Sequence, residues 1–421
     1  MGLKEANIYL DNQLNTFYAG QTINGRIEYV FDSPKKVRGI QVQFKGEAHT
    51  EWYESKQQEN EQGKTESNDT THTGNEEYFQ VSYYVLGSSN GNEIEIPAGK
   101  QVYNFTCTLP PVLPSSFEGE YGYVRYTVKV TLDRPWKFNQ DTKMAFTVIN
   151  ALDLNLNPSY REPIHIQMEK TFCCFCCASP PLSVDVLAPV SGYCPGQVIP
   201  ITVNIENKSN VQVHLVKIFL RKVVTYRASS GASKKTKDII LTVQEGPAPA
   251  GSTKHWNLNM EIPPIPPSNL VNCNIIDLDY DFKVECVVSG MHINLKDKKY
   301  ITIGTVPLVG MPGQGVPAQP SGQYSPGQPA VLPVGPGQPA LPSAPPAPNG
   351  GGEPTQGWVM PGQPPYQGLY PTLTEPVYKE SQYTARTIQD RGDNEHTMIR
   401  APQFAPYYPT YAAVQPPPLP Q

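Results

Sequence analysis

The chain has 421 residues, enough for two or three domains with cores of their own, and a formal net charge of -5. So small a charge supplies no concentrated basic face and leaves no electrostatic case for nucleic acid. No apolar run reaches the roughly 18 residues of a membrane span, and MGLKEANIYLDNQLNTFYAG at the start holds no signal-peptide core, so the expected location is the cytosol.

In chain order, Ile8–Asp11, Ile23–Phe31, Val37–Phe44, Val102–Leu109, Val124–Leu132 and Ala145–Leu152 mix two-residue alternation with short apolar runs. Glu54–Glu77, between the third and fourth of these, has no large apolar residue and reads as a solvated hairpin or loop extension. A second series follows: Leu182–Leu187, Val198–Ile205, Val213–Leu220, Ile239–Val243, Trp256–Ile262, Ile276–Val288 and Tyr300–Ile303. No segment carries the caps and apolar period of a helix a dozen residues long. Many short strands at this spacing predict β-sandwiches.

The second series repeats the first. Tyr18–Phe31 parallels Tyr193–Asn207, and Val37–Gly46 parallels Val213–Lys222. Ala98–Ser116 likewise parallels Ala250–Asn269, and Val124–Leu132 parallels Leu278–Val288. A period this long means duplicated domains, not a solenoid. The Gly-Gln turn in each copy predicts a tight bend before a core strand. The Pro-Pro-x-x-Pro clusters after Leu109 and Ile262 predict crossovers between sheets, because proline cannot donate to a central ladder. Trp136 and Trp256 read as core or end-plug aromatics.

After Leu308 the composition changes. Of the 45 prolines, 25 fall there, with PGQP beginning at Pro326, Pro336 and Pro361. Proline lacks a donor and glycine costs ordering entropy, so 309–421 is predicted to be a disordered, partly polyproline-II tail.

SFEGEYGYVRYTVKV (Ser116–Val130) followed by DRPW (Asp133–Trp136) is similar to the hallmark stretch of α-arrestin N-domains. CCFCC (Cys173–Cys177), then a Gly-Gln turn and a strand, resembles the start of their C-domain, and KKYITIGTVPL (Lys298–Leu308) the strand that closes it. The resemblance covers about residues 5–308, with the blocks in the family's order. It implies an all-β chain of two tandem arrestin-type, immunoglobulin-like β-sandwiches. The first spans 1–155 with the polar insertion at 54–77, a linker with the cysteine cluster spans 156–180, the second sandwich spans 181–308, and the tail follows.

The resemblance also implies a function. The chain is expected to be a cofactor-free, non-catalytic adaptor in the cytoplasm, peripherally associated with the plasma membrane and endosomes. It would link receptor or transporter cargo to ubiquitin ligases and to clathrin or endosomal sorting machinery. The runner-up is a stable arrestin-fold subunit of a retromer-type coat. The Pro/Tyr tail and the cysteine cluster favour the adaptor.

Tails of this family carry Pro-Pro-x-Tyr motifs that WW domains grip as a polyproline-II turn with a tyrosine in a second pocket. Here no strict copy exists. Four degraded versions stand in its place: Pro364-Pro365-Tyr366, Pro376-x-Tyr378, Pro406-x-Tyr408 and Pro409-x-Tyr411. Pro417, Pro418, Leu419 and Pro420 resemble a Pro-Pro-Leu-Pro ligand of WW or SH3 domains, and Tyr370 with Leu373 fits a Tyr-x-x-apolar sorting signal.

Other motifs are ambiguous or bland. Cys173, Cys174, Cys176 and Cys177 are open to three readings: exposed structural thiols, S-acylation, or a metal site. Adjacent thiolates seldom reach one ion together, and no second Cys pair or His pair follows. Gly87–Gly91 formally matches Gly-x-Ser-x-Gly but lacks the helix a nucleophile elbow needs, so it reads as a hairpin loop. Two basic clusters, Lys35/Lys36/Arg38 and Lys234/Lys235/Lys237, read as solvated turn charges, with anionic lipid or a phosphorylated tail as the alternative. Arg391–Asp393 (RGD) reads as accidental.

Overall fold

The duplication is visible atom by atom in the computed structural model, which describes residues 3–59, 65–174, 177–310, 374–383, 385–390, 392–399 and 401–411. The first sandwich opens with β1 (Leu3–Leu10), β2 (Thr16–Tyr18), β3 (Thr22–Phe31) and β4 (Lys35–Val37). A long hairpin, β5 (Gly39–Glu59) and β6 (Thr65–Gly87), follows. β7 (Ile94–Ile96), β8 (Gly99–Thr108), β9 (Phe117–Gly119), β10 (Gly122–Asp133) and β11 (Gln140–Ile149) complete it. One sheet has the order β1-β3-β8 and the other β2-β11-β10-β5-β6. Alternation along β3 buries Ile23, Ile27, Tyr29 and Phe31 against Val124, Tyr126, Val128 and Val130 of β10's sheet. Phe44 meets Phe105 and Phe146 edge to face at 5.8 and 6.2 Å. Each such side chain contributes about 1.5–3 kcal/mol on burial.

The second sandwich begins earlier than the sequence reading places it. β12 (Ile164–Lys170) lies inside the expected linker and pairs along its whole length with β15 (Leu182–Ala188). The cause is the alternation of Ile164, Ile166 and Met168, all buried. Between them Cys173–Cys174 (β13) and Cys177–Ala178 (β14) form a small ribbon. β16 (Gly192–Tyr193), β17 (Val198–Asn207), β18 (Val213–Arg227), β19 (Ser233–Glu245), β20 (Ser252–Glu261), β21 (Ile276–Val288) and β22 (Leu295–Ile303) follow. The sheets are β12-β15-β17-β20 and β16-β22-β21-β18-β19, the same order as in the first copy with one strand added.

Tyr18 and Tyr193 stand on equivalent turns. β2 runs parallel to the end of β11, and β16 parallel to the end of β22. The side-chain oxygens of Gln21 and Gln197 accept from the Tyr18 and Cys194 N–H groups at 2.8 and 2.7 Å. The proline crossovers are anchored alike: Tyr126 donates to the Pro114 carbonyl at 2.6 Å, and Tyr280 to the Pro266 carbonyl at 2.8 Å. Ser116 and Ser268 then accept from Val148 and Ile303 N–H, both at 2.9 Å.

The polar insertion is the far part of the β5–β6 hairpin, with Glu54 opposite Thr70. Its return strand also meets the second sandwich. Thr73 accepts from Ser229 N–H at 2.9 Å, and the Glu76 carboxylate accepts twice from Asn274, at 2.9 and 2.6 Å. Nearby, Thr50 donates to the Arg227 carbonyl at 2.8 Å. Trp256 is half-buried against the core, but Trp136 is not a core residue: it is 98% exposed. The Pro135–Trp136 pair turns the chain at the tip of the β10–β11 hairpin, with Trp136 at φ +58°.

Residues 374–411 depart from the expected tail. They form β23 (Val377–Glu380), β24 (Arg386–Thr387), β25 (Thr397–Ile399), β26 (Gln403–Phe404) and β27 (Tyr407–Thr410). β23 pairs with β27, and β24 with β26. β25 joins the first sandwich, running parallel to Asp141–Lys143 of β11. This strap lies across the protein's own body because its aromatic and aliphatic residues can be buried there: Ile388, Ala405, Tyr408 and Tyr411 are all buried.

Candidate functional site

The strap occupies the edge of β11 and the seam between the two sandwiches. Two features of the first sandwich receive it: a buried ionic cluster on the β10–β11 face, and a set of backbone carbonyls along the seam.

The ionic cluster starts from Arg125 on β10 and Glu118 on β9. The guanidinium donates to both carboxylate oxygens at 2.8 Å, and the two side chains are 3% and 0% exposed. Burial pushes the Glu118 carboxyl up, opposed by the hydrogen bonds from Arg125. The Arg125 guanidinium also stacks over Tyr123, 3.9 Å from the ring centre. One strand over, Lys143 is 5% exposed and receives the strap's charges. Its ammonium donates to the carboxylates of Asp390 and Asp393, the latter at 3.0 Å, and to the Ile388 carbonyl at 3.2 Å. Asp393 also accepts from Asp390 N–H at 2.8 Å, and Asp390 lies 3.7 Å from Arg125. Buried Arg125 is thus matched within the sandwich by Glu118, and buried Lys143 by the strap carboxylates. Arg386 adds a hydrogen bond to the Glu120 carbonyl.

The seam is filled by the segment APYYPTY. Tyr407 N–H donates to the Thr147 hydroxyl at 3.1 Å. Tyr408 is 1% exposed and donates to the Ser116 carbonyl of the first sandwich at 2.9 Å. Tyr411 is 4% exposed and engages the second: its hydroxyl donates to the Thr305 carbonyl at 2.6 Å, and its N–H to the Pro195 carbonyl at 2.9 Å. Burial pushes the Tyr408 hydroxyl well above its ordinary pKa, so it stays a donor. The backbone approach is close at Gly196, where a Cβ would stand 2.1 Å from the Tyr411 carbonyl oxygen. Tyr378 is half-buried, and its hydroxyl shares a hydrogen bond with that of Tyr18 at 2.8 Å.

The sequence-predicted tail residues therefore divide. Pro376 and Tyr378, Pro406 and Tyr408, and Pro409 and Tyr411 lie in the strap, and the last two tyrosines are buried anchors in place of exposed ligands. Pro364, Pro365, Tyr366, Tyr370, Leu373, Pro417, Pro418, Leu419 and Pro420 lie outside the described residues. So does Cys176, while the backbones of Cys173, Cys174 and Cys177 form the β13–β14 ribbon beside buried Phe172. Among the described residues no group of His, Cys, Asp and Glu is arranged to hold a metal. Gly87 ends β6 and GSSNG leads towards β7, but β7 pairs with β4 and not with β6, so the segment is a connecting loop and not the expected hairpin loop. Of the basic residues, Arg38 pairs with Asp133 at 2.7 Å and Lys234 lies over Tyr121 at 4.2 Å. Sequence reasoning missed Lys143, Arg125, Glu118, Asp390 and Asp393, the last set aside inside RGD. The signal available was two closely spaced acids between strand-like Ile388 and Thr397–Ile399.

Comparison with known proteins covers both domains. Residues 6–155 match the arrestin (or S-antigen) N-terminal domain family, and 178–308 the corresponding C-terminal domain. Arrestin domain-containing protein 17 of Caenorhabditis elegans is 29% identical over 97% of this chain and 99% of its own length. Arrestin domain-containing protein 4 of Mus musculus is 29% identical over 72% of each chain. Arrestin domain-containing protein 1 of the mouse is 25% identical over 70% of this chain and 64% of its own.

Proposed function

The chain belongs to the α-arrestin (arrestin domain-containing) family, and from that premise we propose that it is a non-catalytic trafficking adaptor. In this reading the sandwiches engage a membrane receptor or transporter, and the tail recruits WW-domain ubiquitin ligases and clathrin or endosomal sorting machinery. The observation that supports it is the division of the tail's Pro-Tyr motifs around a docked strap. With Tyr408 and Tyr411 buried, the ligands left outside the strap are Pro364-Pro365-Tyr366 and Pro417-Pro418-Leu419-Pro420. WW domains need the tyrosine ring accessible, so binding at Tyr408 or Tyr411 requires the strap to leave.

Peripheral attachment to the plasma membrane or endosomes is part of the reading. No helix among the described residues is long and apolar enough to cross a membrane. Acylation of the Cys173–Cys177 ribbon would add apolar anchors beside the β21–β22 turn, where Met291 and Ile293 are exposed and His292 packs on Phe172 at 4.9 Å.

Tandem-WW pulldown with the full chain tests the recruitment step. Tyr366→Ala is expected to remove most binding, and Tyr408→Ala to leave it equal or raise it by freeing the strap. Equal capture by a chain lacking both Tyr366 and Pro417–Pro420 refutes ligase recruitment by these motifs. Stoichiometric co-purification in one stable complex, unaffected by removal of the tail, would favour the coat-subunit reading.

A further inference from the structure

At the tip of the β10–β11 hairpin, apolar exposure and positive charge coincide. Trp136 is 98% exposed and Phe138 74%. Three cations lie at this end: Arg134 and Lys137 in the same turn, and Lys35 on β4, which the Arg38 N–H bond to the Asp133 carbonyl brings alongside. Burial, together with the charges of Arg134 and Lys137, holds the Lys35 ammonium below its ordinary pKa, which places the three charges close together. The nearby acids are fewer. Asp32 acts on Lys35 and Glu395 lies 3.6 Å from His396, whereas Asp133 is spent on Arg38.

The turn is held in shape. The Arg134 side chain donates to the Phe138 carbonyl at 2.8 Å, and its N–H to the Asn139 side chain at 3.1 Å. His396 of the strap stacks on Phe138 with ring centres 5.2 Å apart. Trp136 is left projecting beyond these contacts.

We propose that this tip is a membrane-docking surface: Trp136 and Phe138 enter the headgroup region of an anionic bilayer while Lys35, Arg134 and Lys137 meet its phosphates. An indole is amphipathic and settles at the membrane–water boundary, and each nearby Lys or Arg adds attraction to anionic headgroups. The tip is convex. An acidic peptide would need a groove with walls around the ring, and a ring 98% exposed has none. A bilayer needs the opposite, an apolar side chain that protrudes. This inference rests on the adaptor reading only in placing the protein at a membrane, and it does not depend on acylation.

The test is flotation of the purified, unacylated full chain with vesicles of phosphatidylcholine alone or with about one third phosphatidylserine. The wild type is expected to float with the anionic vesicles only, and its tryptophan fluorescence to be quenched by brominated lipid. Trp136→Ala with Phe138→Ala is expected to lower the partition coefficient about tenfold and abolish the quenching. Lys137→Glu, on an exposed residue of the same turn, should lower it at low salt and less at high salt. All changed side chains lie at the surface, so melting temperatures should match the wild type. A Trp136/Phe138 variant that floats as well as wild type overturns the tip assignment but leaves membrane association standing. A wild type that does not float overturns the tip as a bilayer surface. Quenching by a soluble acidic peptide in place of vesicles would assign the tip to a protein partner. Flotation without WW-ligase capture would refute ligase recruitment and leave the tip intact.

Discussion

The edge strands β11 and β22 hold equivalent places in the two copies, yet they are protected by different means. β22 carries Lys296, Asp297, Lys298 and Lys299 in its exposed middle, and among the described residues no strand pairs with its outer edge before Thr302. Lys296 and Lys298 lie near Glu285 and Asp281 of β21, at 3.1 and 3.6 Å. Charges of this kind are how an edge resists pairing with another chain. β11 has a buried run from Thr142 to Ile149, and its outer edge is paired by β25 of the strap along Asp141–Lys143 and by β2 from Thr147. A guard made of charge is permanent, whereas a guard made of pairing lasts only while the tail is docked. One copy is thus guarded by its own charges and the other by a segment about 250 residues away, as from Lys143 to Asp393.

Removing 374–421 should break this asymmetry most strongly. The loss of buried Ile388, Ala405, Tyr408 and Tyr411 is expected to cost the first sandwich on the order of 5 kcal/mol in urea unfolding. Hydrogen exchange should quicken in the β11 stretch 141–143 and stay unchanged along β21 and β22. Uniform protection in both copies after truncation would mean that the strap guards nothing.

Lys143→Met should come next, at about 3 kcal/mol, because it strands the buried Asp393 carboxylate without its cation. Lys296→Met, on the equivalent strand, should stay within about 0.5 kcal/mol, as an exposed pair contributes little. Thermal or urea unfolding of the two variants side by side checks the contrast.

The equivalent turn glycines sharpen the comparison further. Gly20 and Gly196 both have φ +83°, so alanine at either costs about 1–2 kcal/mol in backbone strain. A Cβ on Gly20 meets only Pro111, at 3.5 Å, whereas on Gly196 it collides with Tyr411. Gly196→Ala should therefore be the more costly of the two, and the excess should vanish when 374–421 is absent. An excess that survives truncation would place its origin in the second sandwich itself.

The smallest effect belongs to Tyr411→Phe, about 1 kcal/mol for the hydroxyl bond to Thr305. Its signature should be faster exchange at the Tyr411 amide with no change along β11.

Much of the sandwich architecture was legible because alternation, turn glycines and the internal repeat all point to one answer. Tyr18/Tyr193 and the proline crossovers fell where the repeat placed them. The strap was not legible. Its strands are two to four residues long, too short for periodicity to register, and they sit in a proline-rich context that argues against order. Its stability comes from surfaces made by residues hundreds of positions earlier, which no local window contains. The ionic cluster was hidden for the same reason, since Arg125 and Asp390 become neighbours only after folding. Trp136 was misjudged because aromatic identity was read as burial, while its position at a hairpin tip decided its exposure. β12 was absorbed into a linker, although its alternation was visible.

The course of the chain has one further consequence. It leaves the second sandwich at Gly310 and is back on the folded body by 374, so both ends of 311–373 are fixed to the same object. A single proteolytic cut in that interval would break the covalent chain without removing any contact of the strap, leaving two polypeptides held as a complementing pair. Docking would change from an intramolecular step to an ordinary bimolecular association with a measurable dissociation constant. The ratio of that constant to the docking equilibrium of the intact chain is the local concentration at which the tether presents the strap, expected in the millimolar range.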